Sequence, residues 1–343
     1  MFLAKELEKG NLLDKLTSAS GPSGYEGEVR KIIKDEISSF VDELKVDKMG
    51  NIIAHKKGNG PKVMIAAHMD EVGFIITGYN SDGTLKFSGL GGVNPLSMPS
   101  KLVFIGEEKI QGIIGAKAIH LQSKDERKKA FTYGNCCIDI GAKSKDEAMK
   151  MIDLGEFVVF DNEYDCFGDK LIKGKAFDDR MGCLVLIQAL KENYNCDLYC
   201  VFNVQEEVGE RGAYVSAFNV KPDVAIVLEG TICADMCNIS KENRATEIGK
   251  GPAISIMDRT SIFNEEMARN IIEVAIKNNI PYQRRKAIAG GNDAGIIHTV
   301  DEGTSKIATI SVPCRYIHSA ISVASQEDYL NTLKLLKTYL KTM

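Results

Sequence analysis

The stretch KVMIAAHMDEV, Lys62 to Val72, decides the fold. Its first seven residues form a short apolar run, which reads as a buried strand rather than a helix. The run ends on a histidine, and an aspartate follows two residues later. Directly after it the texture changes. From about residue 71 to 160, FIITGYNSDGTLKFSGLGG reads as a hairpin turning at Asp82–Gly83. KLVFIG, IQGIIGAKAIHL and CCIDIGA follow as further short strands, with one capped helix near SKDEAMKMI. Such a block suits a small β-barrel or sandwich, and glycine-rich segments such as SGLGGVNPLSMPS would leave exposed strand edges. Past GDKLIKGKAFDDRMG, strands and helices alternate again: helix 179–192, strands 198–204 and 224–228, helix 263–279, strand 307–312, helix 326–342. Upstream, SGYEGEVRKIIKDEI places Ser23 and Glu26 in capping-box spacing ahead of an amphipathic helix. The expected organisation is an α/β domain made of residues 1–70 and 161–343, interrupted by an inserted β-rich domain, 71–160.

Bulk properties restrict the function. A chain of 343 residues can bury a large core and favours two domains. Its hydrophobic share of 44%, charged share of 26% and net charge of −4 are those of a soluble globular protein. No basic excess points to nucleic acid, and DERKK and QRRK read as solvated faces. No apolar run is long enough to span a membrane, and MFLAKELEKGNLLDKL is too charged for a signal peptide. Nine cysteines without CxxC spacing suggest free thiols in a reducing cytoplasm. Cys233 and Cys237 form a conceivable soft metal pair, but small buried thiols usually serve packing.

Polar residues cluster just beyond strand ends, where open α/β sheets keep their sites. His68 and Asp70 follow the first strand, Asp178 and Asp179 open a helix, and Glu206 and Glu207 end the VFNVQEE run. Glu229 ends DVAIVLEG, and His318 follows ISVPCRY. Each has a plain structural reading as a helix cap or a turn residue. Together they form a mixed nitrogen and oxygen set suited to zinc or cobalt. Adjacent glutamates at a buried strand end also require a positive partner, either a basic side chain or a metal ion. His55, His120 and His298 lack that acidic context and are set aside.

These residues resemble a known family. AAHMDEVGF, KAFDDRMG, VQEEVGERGA, VLEG, RYIHS and GGNDAG, in that order, look like the glutamyl and deblocking aminopeptidases that form tetrahedral particles. The resemblance runs from about residue 20 to the last helix. It implies a mixed-sheet peptidase domain with helices on both faces, holding two divalent metal ions per subunit, and an inserted barrel-like domain that dimerises. By position it implies that His68 and His318 each bind one metal, that Asp179 bridges them, and that Glu207 and Glu229 complete the shells. Glu206 would be the general base and Asp70 the partner that orients His68. Short peptides would be the substrates, and the homo-oligomer would be built from dimers into a dodecamer. The chain departs from the resembled pattern at Glu229, where relatives often carry Asp, and at Asn292, where they commonly have Thr.

Three alternatives stand beside this reading. A carboxypeptidase or deacylase of the wider two-zinc superfamily would use similar ligands. A glycoside hydrolase would take Glu206 and Glu207 as its acid pair. That reading leaves both histidines idle, and neighbours on an extended strand end point apart instead of facing across a sugar at about 5–5.5 Å. A non-catalytic binding protein would lack the base or a ligand. GGNDAG reads either as a turn with Asn292 or Asp293 capping helix 294–299, or as a wall of the substrate pocket.

Overall fold

A computed structural model of the chain describes residues 4–286 and 290–343. The strands outside the insertion join one 11-stranded mixed sheet. Four parallel strands occupy its centre, in the order Asp197–Asn203, Lys62–His68, Val224–Ile232 and Lys306–Arg315. Ile52–Lys56 and Ser322–Ser325 flank them in antiparallel pairing. Side chains on a strand alternate between faces, and here both faces are apolar. Val63, Ile65 and Ala67 enter one core while Met64 and Ala66 enter the other. A strand buried on both sides needs no polar alternation, which is why KVMIAAH reads as a continuous apolar run. The larger core is covered by Phe177–Leu190, buried all round from Met181 onward, and by Gln326–Leu340. Arg211–Val220 and Asp293–Thr299 cover the opposite face. The sequence-derived elements match in kind, with ends displaced by a few residues.

Between Gly73 and Phe160 the chain forms a closed six-stranded antiparallel barrel. Gly73–Tyr79 pairs with Leu85–Leu90 through the Asp82–Gly83 turn, and Phe157–Phe160 closes the ring back onto Gly73–Tyr79. Phe74 sits in its centre, edge-on to Phe87 and Phe160 at 5.1 and 5.2 Å. Closure leaves no unpaired edge of the kind the glycine-rich segment suggested. That segment stops being a strand at Leu90, and Gly91 and Gly92 run on as a loop toward the other domain.

Two expectations at the junction change. Ser23 and Glu26 do not form a capping box: the helix is Gly27–Ile37, with no side-chain cap bond from Glu26. Ser23 Oγ donates instead to Asp70 Oδ2 at 2.6 Å, and Glu26 Oε1 accepts from the backbone of Gly24 and Gln205. Glu71, the first residue of the expected insertion, is buried. Lys175 Nζ donates to both its oxygens at 2.6 Å, and Arg180 approaches at 3.3 Å.

Candidate active site

The parallel strands deliver their carboxyl ends to one spot. His68 is the last residue of Lys62–His68, Glu229 lies late in Val224–Ile232, and Glu206 and Glu207 follow Asp197–Asn203 by three and four residues. His318 arrives from the link between Lys306–Arg315 and Ser322–Ser325. Ala176, Gln205, Glu210 and His318 all adopt left-handed φ values between 55 and 59°. Non-glycine residues held there cost about 1–3 kcal/mol each, and such positions gather at functional sites.

Asp178 stands at the centre. Its Oδ1 lies 3.2 Å from His68 Nε2 and its Oδ2 lies 3.4 Å from His318 Nε2. Glu229 Oε1 is 3.2 Å from His68 Nε2, and Glu207 Oε1 is 3.4 Å from His318 Nε2. Each imidazole therefore meets two carboxylates through one nitrogen, and the two groups share Asp178. One N–H shared between two carboxylates makes two bent, weakened hydrogen bonds, whereas a cation seated among three ligand atoms meets all of them directly. Glu229 Oε2 is also buried without a hydrogen-bond partner. His68–Asp178–Glu229, Asp178–Glu207–His318 and His68–Glu206–Glu207 each bring their ligand atoms within 4.8 Å. This donor set fits divalent metal ions.

The sequence placed Asp179 between the two imidazoles, and the geometry puts Asp178 there instead. Asp179 turns inward: Oδ1 accepts from Gly182 N at 2.9 Å and Oδ2 from His68 N at 3.3 Å. It ties the first helical turn to the strand end. The two aspartates have non-helical dihedrals, and the peptide bond between them is cis. The helical phase is interrupted at this point, so spacing cannot say which aspartate faces the cluster. Reading Glu206 and Glu207 as an extended strand end that splays its carboxylates also fails. The strand stops at Asn203, and both glutamates belong to one group with His68.

The surrounding contacts orient these groups. His68 Nδ1 faces the Asp70 carbonyl at 3.1 Å and its Oδ1 at 3.3 Å, which leaves Nε2 toward Asp178 and Glu229. Asp70 does more than the sequence suggested, because it also accepts from Glu206 N at 3.0 Å and Glu207 N at 3.1 Å. One carboxylate thus joins the histidine to the glutamate turn, and Ser23 steadies it from the N-terminal segment. His318 Nδ1 lies 3.2 Å from the carbonyl of Gly92, on the loop that leaves the barrel. A Cβ at Gly91 would stand 3.1 Å from Glu207 Cβ, so the barrel loop packs directly on the site.

Charge follows the same pattern. Burial would lower the His68 imidazolium, but Asp178, Asp70 and Glu229 together raise it well above its ordinary value. His318 is pushed up to about 9: burial opposes the charge, while Asp178 and Glu207 favour it. Burial raises Glu206 well above the carboxylate range and lifts Glu207 to about 7. Crowded buried acids against two imidazoles make a centre that calls for added positive charge.

A cleft of about 530 Å³ opens from the cluster, walled by Thr231, Asp258, Arg285, Asn292 and Ile317 among others. Asn292 is both things the sequence allowed: its side chain accepts from Ala294 N as a helix cap, and the residue lines the cleft. His55, His120 and His298 stay outside the cluster. All nine cysteines are free, and Cys233 Sγ lies beside Thr246 Oγ1. Ser23, Gly92 and the position of Asp178 between the two imidazoles were missed, since each depends on a contact far away in sequence.

This sheet and this cluster define a metal-dependent hydrolase. The chain belongs to the M42 glutamyl aminopeptidase family, whose model matches residues 50–335. It is similar to an aminopeptidase structure from Desulfurococcus kamchatkensis, 36% identical, with a TM-score of 0.94 over 100% of this chain and 96% of that one. It resembles the lysyl aminopeptidase of Pyrococcus furiosus, 33% identical over 97% of this chain and 96% of the relative. A TET1 peptidase of Pyrococcus horikoshii, described as assembling into a tetrahedron or a large octahedral shell, is 31% identical; its TM-score is 0.85 and 98% of each chain is covered. The protein is an aminopeptidase of a metal-dependent family.

Proposed function

We propose that the chain removes N-terminal residues from short peptides at a two-metal site. His68, Asp178 and Glu229 would hold one ion, and Asp178, Glu207 and His318 would hold the other. The observation that carries this reading is the Asp178 carboxylate, with one oxygen against each imidazole. Imidazole with carboxylate oxygen suits zinc or cobalt. Ions bound there supply Lewis-acid polarisation and offset the charge of the surrounding carboxylates. Glu206, which shares a group with His68 and Glu207, takes the proton of the attacking water and returns it to the leaving amine. Its raised affinity for a proton, caused by burial, suits a group that must hold that proton between the two transfers. Asp70 keeps His68 in register with the glutamate turn.

A cleft of about 530 Å³ opening from the cluster agrees with short peptides as substrates. Assembly into a homo-oligomer agrees with the particle-forming relative, and the barrel is the part of the chain we assign to it. Free thiols throughout suit a cytoplasmic setting; among the described residues no helix is long and apolar enough to cross a membrane. The test is to strip the enzyme with a chelator, refill it with Zn²⁺, Co²⁺ or Mn²⁺, and assay aminoacyl p-nitroanilides beside N-acetylated peptides. Metal-restored cleavage of free-amine substrates alone is expected. Preference for the acetylated peptides would move the reading to a carboxypeptidase or deacylase.

A further inference from the structure

The turn that carries Asp178 is fastened on both sides to the strand end that carries His68. Lys175 stands three residues before Asp178 and Arg180 two after it, and Glu71 stands three residues after His68. We propose that Lys175 and Glu71 are positioning residues. Their buried ion pair, braced by Arg180, fixes the Asp178 carboxylate between the two imidazoles and so sets how two ions share it. This rests on the two-metal reading and deepens it.

Lys175 Nζ donates to both oxygens of Glu71 at 2.6 Å and to the Ala19 carbonyl at 3.1 Å. From the other side of the turn, Arg180 Nε donates to the Met69 carbonyl at 2.8 Å and Nη2 to Glu71 Oε1 at 3.3 Å. Arg180 Nη1 donates to the carbonyl of Leu16. Residues 175–180 are thus pinned near each end to residues 69–71, with Asp178 in between. Non-helical dihedrals at Asp178 and Asp179 take the turn out of regular helical geometry. The direction of the Asp178 side chain therefore depends on how the two ends are anchored.

The clamp also lies against the cluster. Glu71, Lys175 and Ala176 line a cavity of about 10 Å³ together with Asp178, Glu207 and His318. The ion pair and three of the proposed ligands therefore border one small space, roomy enough for about one water molecule. Stability does not account for the three charges. Glu71 and Lys175 are each 2% exposed and Arg180 is 0% exposed. Desolvating such groups costs about as much as their attraction returns, and apolar residues of the same volume often serve as well or better. What the charged pair adds is direction, since an ammonium held by both oxygens of one carboxylate fixes one arrangement of the two segments. Contacts behind a metal ligand orient it and tune how tightly the ion is held. A purely structural role at the entrance to the barrel would show in unfolding and leave the metal pair untouched.

The experiment joins Glu71→Gln and Lys175→Met in one chain. The new side-chain carbonyl still accepts from Gly21 N and Arg180 Nη2, and the thioether fills the place of the lysine stem, so the charge pair alone is removed. Chelator-stripped wild type and variant are titrated with Mn²⁺ by calorimetry. Electron paramagnetic resonance of the refilled proteins then reads the magnetic coupling between two ions that share a carboxylate. Wild type should bind a coupled pair of Mn²⁺ ions per chain. The metal-free double variant should unfold in urea close to the wild-type midpoint. It should nevertheless bind Mn²⁺ about 10–100-fold more weakly, the usual cost of losing a contact behind a ligand, and its coupling should be altered or lost. Coupling unchanged in the variant overturns the assignment, whatever the affinity, and leaves the two-metal reading intact. Wild type without a coupled pair overturns both. Should the double variant fail to fold, Lys175→Met alone, in which Glu71 keeps Arg180 and Gly21 as partners, is measured in the same way. Altered coupling there supports the clamp, and unaltered coupling overturns it.

Discussion

Asp178→Asn removes a charge that both imidazole groups share, so the variant should emerge from dialysis depleted of both metals. Asp179→Asn should behave differently. Asp179 holds Gly182 N and His68 N, and contacts that orient a ligand without binding metal typically change affinity by about 10–100-fold. Atomic absorption on the two dialysed variants separates the roles, and equal depletion would return Asp179 to the cluster. Glu206→Gln should keep both metals and lose about 10²–10⁴-fold in kcat, the usual contribution of a general base. Metal content and kcat belong on one preparation. Near-normal turnover would remove Glu206 from the base role, and metal loss would make it a ligand.

Elements carry the next level of organisation, and some of it was plain in the sequence. KVMIAAH announced a strand buried on both faces because Val63, Ile65 and Ala67 serve one core while Met64 and Ala66 serve the other. His68, Glu207, Glu229 and His318 were visible as polar residues beyond apolar runs, since strand ends are legible wherever the apolar pattern stops. Asp178 was not separable from Asp179, because the backbone there is neither helix nor strand and gives side chains no readable period. Nor could a sequence disclose that Ser23 would leave its helix to hold Asp70, or that the Gly92 carbonyl would meet His318 across 226 residues. The Glu71, Lys175 and Arg180 network is a buried ion-pair cluster at the point where the chain enters the barrel. Glu71→Gln would leave Lys175 buried with its partner neutralised, and losing half of a buried ion pair costs about 3–5 kcal/mol. Urea unfolding of the metal-loaded protein should show that loss as a lower midpoint. An unchanged midpoint would mean that the junction is held by packing alone.

At the scale of the whole molecule, the barrel reaches the candidate site through its loop. Its loop brings the Gly92 carbonyl to His318 and packs Gly91 on Glu207, so the barrel touches a cluster whose histidines and carboxylates all come from outside it. The same barrel displays Leu96, Ile119 and Leu121 at 62%, 71% and 65% exposure. Large apolar side chains this exposed suit a surface that another subunit covers, and closed symmetric association is the common form of such covering. The similar Pyrococcus horikoshii peptidase assembles into a tetrahedron or an octahedral shell. In solution the metal-loaded protein is therefore expected as a dimer or larger, with a dodecamer as the principal species and activity confined to peptides. Light scattering at micromolar concentration measures this directly. Ile119→Asp with Leu121→Asp should shift the distribution toward smaller species, because a charge placed in an apolar interface must be desolvated without a partner. If wild type runs as a fully active monomer of 37.6 kDa, the barrel's part is limited to shaping the site through Gly91 and Gly92. If the double variant keeps the wild-type mass, the subunits meet through another face.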